Sequence, residues 1–149
     1  MKNIFPIILS FLFAYSCGNT HNHTSGAKNT QAEVQEAEAA EKIELNNGEK
    51  WVVNEEMKPF IQKGEDLVQL YIQDEKTDFK SLAQQVKEQN SLLIKSCTME
   101  GKSHDELHKW LHPHLELVEE LEQAKNEDES VQIVQKLKHS YQQYHSYFQ

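Results

Sequence analysis

The stretch that decides the fold is DFKSLAQQVKEQNSLLIKSCTMEGKSHDELHKWLHPHLELVEEL, residues 78–121. Its apolar residues recur every three or four positions, which is the period of an amphipathic α-helix. The pattern predicts one helix over residues 78–96 and a second that begins at Ser103, where Ser103 and Glu106 form a capping box. Because the connection between them is short, the two helices are expected to lie antiparallel.

The same period continues on both sides of this stretch. It predicts a helix over residues 54–73 with Asn54 as its N-cap, and another over residues 129–148 after an Asn126 cap. Four amphipathic helices with short connections bury their apolar stripes only against one another. The sequence therefore predicts an all-α, up-down-up-down four-helix bundle over residues 43–149. In the last helix the predicted inward residues are Val131, Val134, Leu137, Tyr141, Tyr144 and Phe148.

The residues before the first helix contain a turn signal. Asn47-Gly48 lies between short apolar alternations in IELNNGEKWVV, residues 43–53. This pattern is typical of a small hairpin, and it also fits an extended segment that lays Trp51 on the core.

Residues 1–16 have the pattern of a signal peptide. A lysine near the start precedes the apolar run 4–14, which is too short to span a bilayer, and small residues then surround a cysteine. Ala14, Ser16 and Cys17 resemble the lipobox of bacterial lipoproteins. That resemblance implies that Cys17 is acylated and begins the mature chain, tethered to a membrane in the cell envelope, on the periplasmic or outer-membrane side. The alternative is an ordinary secretory peptide that ends near a cysteine.

Residues 17–42 are expected to be a lipidated cysteine followed by a flexible linker. The segment is rich in polar residues, alanine and glutamate, and it has no apolar stripe to bury. Its two histidines, His21 and His23, are expected to be incidental.

The charge of the chain argues against nucleic acid as a partner. The formal net charge is −9, it becomes −10 when residues 1–16 with their single lysine are removed, and the chain has no arginine. Phosphate and base recognition depend strongly on bidentate guanidinium contacts. An acidic surface also repels anionic lipid headgroups, so we expect membrane contact to come from the lipid anchor and not from the domain.

Soft metal donors converge at one end of the predicted bundle. In up-down-up-down topology the first helix starts, the second ends, the third starts and the fourth ends at the same place. The sulfur and imidazole side chains expected there are Met57, Cys97, Met99, His104, His108 and His145. The opposite end has carboxylates and no such donors.

Helical geometry separates the histidines of the third helix. At about 100° per residue, His104 lies at the edge of the apolar stripe and His108 slightly further out, so that the pair can share one ion. His112 is expected to face water. His114 points inward, so we expect a core histidine bonded to a neighbouring helix, with a separate role as the alternative.

Cys97 is open to three interpretations: a buried small apolar residue, an intermolecular disulfide, or a protected metal ligand. Thiolate, thioether and imidazole donors together favour Cu(I), with zinc second. A non-covalent b-type haem is the weaker choice of cofactor. For it, Met57 and His145 occupy positions similar to the axial ligands of bundle cytochromes.

The sequence contains no catalytic constellation, so we do not expect an enzyme. The motif of a His-Glu-x-x-His zinc protease is absent, because the residue after His104 is Asp105 and not glutamate. A Cys-x-x-Cys-His motif for haem attachment is also absent. The expected function is therefore an envelope lipoprotein that binds copper at the Cys/Met/His end. The alternative is a metal-free interaction module that contacts another envelope protein.

Overall fold

The computed structural model describes residues 41–149, so the leader, Cys17 and most of the predicted linker lie outside the described residues. The described chain forms four helices, α1 (Lys58–Gln73), α2 (Phe79–Ser96), α3 (Gly101–Gln123) and α4 (Glu127–Tyr147). Each helix packs against the next, and α1 also packs against α4, which closes the ring. The predicted all-α four-helix bundle is confirmed, and in residues 41–149 β-pairing is limited to isolated bridges.

The predicted Asn126 cap is confirmed, and Asp78 forms a second cap that was not predicted. The Asp78 carboxylate accepts a hydrogen bond from the Ser81 amide at 3.0 Å, and the Asn126 side chain accepts one from the Glu129 amide at 2.9 Å. Such caps each stabilise a helix by about 1 kcal/mol. The cap fixes the start of α4 at Glu127, two positions before the predicted start.

The predicted start of α1 is wrong. The helix begins at Lys58 with Met57 as its N-cap, and Pro59 occupies the first turn, where a missing amide proton costs no helical hydrogen bond. The Asn54 side chain instead reaches the connection between α2 and α3. It accepts from the Thr98 amide at 3.0 Å and donates to the Thr98 hydroxyl at 2.7 Å.

The predicted capping box of α3 does not form. The helix begins at Gly101 with Glu100 as N-cap, and the Ser103 hydroxyl donates to the Glu100 carbonyl at 3.3 Å. Glu106 is buried, with 2% of its surface exposed, and accepts a hydrogen bond from the Glu44 amide at 2.7 Å. Its role is therefore to hold the segment before α1 and not to cap its own helix.

Residues 41–53, here called the N-terminal strap, combine the predicted turn with an extended run. Reciprocal backbone bonds of 2.9 and 3.0 Å join Asn46 and Glu49. The two residues between them, Asn47 and Gly48, both have positive φ angles, 53° and 94°, as a type I′ turn requires. The Asn-Gly signal in the sequence is thus confirmed as a tight turn.

The end of the strap pairs with the end of the chain. The Trp51 amide donates to the Tyr147 carbonyl at 2.8 Å, the Gln149 amide donates to the Trp51 carbonyl at 2.9 Å, and the Val53 amide donates to the Gln149 carbonyl at 3.1 Å. The Trp51 indole also donates to the Glu44 carbonyl at 2.6 Å. These bonds cover the end of the bundle where α1 starts and α4 ends.

The core follows the predicted stripes, with one correction in α4. Val131 was expected to face inward, but 48% of its surface is exposed, and Ile133 is buried in its place at 4%. The reason is the position of each residue around the helix axis. Ile133 lies on the same side of α4 as Val134, Leu137 and Tyr141, whereas Val131 lies off that stripe.

Candidate functional site

A cavity of about 240 Å³ opens where α2 ends and α3 begins. Its apolar lining comes from the start of α1, the last turn of α2 and the inner face of α3, and histidines of α3 line the remainder. The lining residues are Met57, Ile94, Cys97, His104, Leu107, His108, Leu111, His112 and Leu115. These segments were predicted to converge, and four of the six predicted donors do line one cavity: Met57, Cys97, His104 and His108.

Three histidines spaced by four residues form a continuous row on α3. We call His104, His108 and His112 the histidine ladder. The Nε2 atoms of His104 and His108 lie 3.0 Å apart, and Nδ1 of His108 lies 2.9 Å from Nε2 of His112. The spacing follows from the helix, since residues four apart lie one above the other on the same face. His108 thus uses both ring nitrogens, one towards each neighbour.

The geometry of the inner pair of the ladder, His104 and His108, suits a shared ion. Two nitrogen ligands that each lie about 2.0 Å from one ion are themselves about 3 Å apart at a right or tetrahedral angle. The contact between His104 and His108 has this length, and both rings are half-buried. Burial lowers the pKa of His108 from its ordinary value of 6.5, and the neighbouring His104 and His112 lower it further. His108 is therefore held in the neutral form, which is the form that binds metals.

Two sulfur atoms line the same cavity. Met57, the N-cap of α1, is 1% exposed. Cys97 is half-buried at the C-cap of α2, where its backbone is extended with φ −71° and ψ 120°, and it is a free cysteine. The thiol is therefore carried by a connection between helices and not by a helical turn.

Two of the predicted donors are not brought to the cavity. Met99 is half-buried and packs against the main core, and it does not line the cavity. His145 is paired with α1 instead, with its Nε2 2.7 Å from a carboxylate oxygen of Glu65 and 48% of its side chain exposed. The register of α4 buries Tyr144 and so turns His145 outward. Met57 and His145 therefore do not take the positions of two axial haem ligands.

A ready-made metal cage is not present in residues 41–149. In that range no three side chains among His, Cys, Asp and Glu are grouped so as to hold an ion. The inner histidine pair, His104 and His108, supplies two nitrogen atoms 3.0 Å apart.

The two remaining histidines of α3 behave as predicted. His112 is exposed. His114 is 0% exposed, stacks on Trp110 at a ring distance of 4.8 Å, and its Nδ1 lies 3.0 Å from the Ser140 hydroxyl on α4. Burial lowers the pKa of His114 from 6.5 to about 4. His114 is thus the expected core histidine bonded to a neighbouring helix.

Sequence reasoning missed the contact between His112 and His108. The signal was present, since His112 follows His108 by the same four residues that separate His108 from His104. The cavity itself was not predicted from the sequence, and no role was predicted for its apolar lining residue Ile94.

Comparisons with known proteins assign no family to this fold. No family model, curated protein or solved structure matches the chain significantly. Within residues 41–149, none of the helices has the length and apolar character needed to cross a membrane.

Proposed function

We propose that this bundle binds Cu(I) at the cavity beside the histidine ladder, with His104, His108 and Cys97 as ligands and the Met57 sulfur as an additional donor. The observation that carries the proposal is the 3.0 Å contact between the Nε2 atoms of His104 and His108 at a cavity that Cys97 and Met57 also line. Two imidazoles already in place lose little conformational entropy when an ion binds.

The chemistry of the lining favours Cu(I) over zinc. Thiolate and thioether sulfur are soft ligands, which select Cu(I). The charge balance points the same way, because one thiolate and one Cu(I) sum to zero, whereas one thiolate and one Zn²⁺ leave a positive charge beside Leu107 and Leu111. An uncompensated charge next to apolar side chains is costly. Zinc is therefore the second choice of ion.

The third ligand requires Cys97 to turn towards the histidine pair. Cys97 lies in the connection 97–100, which carries no helical hydrogen bond of its own beyond the Cys97 amide to the Ile94 carbonyl at 3.3 Å. A rotation of its side chain therefore leaves the helices intact. Metal binding would also protect this thiol from oxidation, which an unpaired cysteine in the cell envelope needs.

A competition titration of the reduced protein against a chromogenic Cu(I) chelator tests the proposal. The wild type is expected to remove about one Cu(I) per chain, and Cys97→Ser and His104→Ala are each expected to weaken binding by about 100-fold, equivalent to ~2.7 kcal/mol. His139→Ala, which removes an exposed histidine of α4, is the matched control and should bind as the wild type does. Equal binding by all four proteins would contradict the proposed ligands.

The same proposal places the bundle in the cell envelope. The lipobox-like residues Ala14, Ser16 and Cys17 support an acyl anchor, and the acidic, arginine-free chain supports contact with the membrane through that lipid alone. The bundle would then hold copper near the membrane surface at the end of a linker.

A metal-free interaction module is the second candidate. It is favoured by Ile94, which lines the cavity although 48% of its surface is exposed. An apolar side chain of a partner envelope protein would then fill the cavity. Ile94→Lys separates the two functions, because it should abolish docking of such a side chain while the three proposed copper ligands stay in place.

A further inference from the structure

The histidine ladder has one more member than the proposed copper site uses. His104 and His108 are ligands in that proposal, whereas His112 is exposed and its Nε2 lies 2.9 Å from Nδ1 of His108. The two contacts in the ladder have nearly the same length, 3.0 Å for the inner and 2.9 Å for the outer. The outer pair can therefore hold an ion in the same way as the inner pair.

We propose that His108 and His112 form an uptake site for Cu(I), from which the ion passes inward to His104, His108 and Cys97. This inference rests on the proposed function. All three histidines line the cavity, and the ladder runs from an exposed contact to a part-buried one, so an ion at the outer pair is nearer to solvent than an ion at the inner pair. The step between them is one helical turn, about 6 Å along the axis for four residues.

The transfer is a ligand exchange in which His108 is common to both pairs. At the outer position the ion is bound by Nδ1 of His108 and Nε2 of His112. It moves inward as its bonds to Nε2 of His112 and Nδ1 of His108 break and bonds to Nε2 of His104 and Nε2 of His108 form. The ring proton of His108 passes from Nε2 to Nδ1 through water, because a neutral imidazole has one nitrogen free to bind metal. The Cys97 thiol then loses its proton to water and forms the copper–sulfur bond, and copper stays Cu(I) throughout.

The exposed position of His112 would affect the rates of copper uptake and release. A chelator or a donor protein gives up its ion through a shared intermediate, which needs a ligand that reaches solvent. Cys97, His104 and His108 are half-buried, while His112 is exposed. Removal of His112 should therefore slow uptake and release together, because both directions cross the same step.

Stopped-flow transfer of Cu(I) from a chromogenic chelator to the reduced full chain tests the path. His112→Ala is expected to slow uptake by about tenfold or more, equivalent to ~1.4 kcal/mol in the barrier. The matched control is His139→Ala, which lies on α4 outside the ladder and should take up copper at the wild-type rate. Circular dichroism of both variants confirms that the bundle is folded.

The outcomes separate this inference from the proposed function. If the wild type retains Cu(I) at equilibrium but His112→Ala fills at the wild-type rate, the uptake path is overturned and the site stands. If His112→Ala weakens equilibrium binding as strongly as His104→Ala, His112 is a permanent ligand and the path is again overturned. If the wild type takes no Cu(I) from a weak chelator, the proposed site itself is overturned, and the path with it.

Discussion

Acidification should destabilise the bundle through His114. This side chain is 0% exposed, it lies between Trp110 and Tyr141, and burial lowers its pKa from 6.5 to about 4. Between these two pH values the unfolded chain binds a proton that the folded chain does not. The free energy of unfolding therefore falls by about 1.4 kcal/mol per pH unit, or about 3 kcal/mol in all. Above pH 6.5 and below pH 4 this group adds no further change.

Urea unfolding at pH 7 and pH 4 measures the effect. Because acid also changes other charges in the chain, the comparison uses His114→Gln and, as a matched control, His139→Gln on the exposed face of α4. The wild type and His139→Gln should lose about 3 kcal/mol more between the two pH values than His114→Gln does. If His114→Gln loses as much stability as the wild type, the buried neutral histidine is not the cause and the reasoning is refuted.

Three further predictions concern the strap, the helix packing and the anchor. Glu106→Gln should lower the free energy of unfolding in urea by about 2 kcal/mol, because the mutation weakens hydrogen bonds to a buried charge. Glu44→Gln, which replaces an exposed carboxylate, should lower it by under about 1 kcal/mol. Similar losses in the two variants would contradict the role of Glu106 in holding the strap. Gly64→Ala should lower the thermal midpoint although alanine favours helices, because an added Cβ overlaps the Tyr141 hydroxyl; a higher midpoint would contradict this packing. Cys17→Ala should move the protein from the membrane to the soluble fraction, and unchanged fractionation would reject the lipid anchor.

The fold could be predicted because each helix carries its own signal. The period of apolar residues identified all four helices, and the Asn126 cap located the start of the last helix to within two residues. The errors arose where a tertiary contact competes with a local one. Asn54 bonds to Thr98 across 44 residues instead of capping α1, and Glu106 bonds to the strap instead of capping α3. Local patterns cannot rank such alternatives, since the competing partner is distant in sequence.

The candidate site could be predicted to the level of a bundle end but not of an atom. Topology brought Met57, Cys97, His104 and His108 to one cavity. It also predicted His145 there, yet that ring faces Glu65. The direction of a side chain depends on how each helix is rotated about its own axis, and one residue of rotation is about 100°. Positions within a single helix, such as the histidine ladder, avoid this uncertainty because the helix itself sets their spacing.

X-ray absorption at the copper edge of the Cu(I)-loaded protein tests the central claim most directly. We expect nitrogen scatterers from His104 and His108 at about 2.0 Å and a short sulfur scatterer from Cys97 at about 2.3 Å. The sulfur contribution should decrease in Cys97→Ser, where the Met57 thioether is the remaining sulfur donor of the proposed site. A spectrum with nitrogen and oxygen alone, or a sulfur contribution that is unchanged in Cys97→Ser, would contradict the proposed copper site.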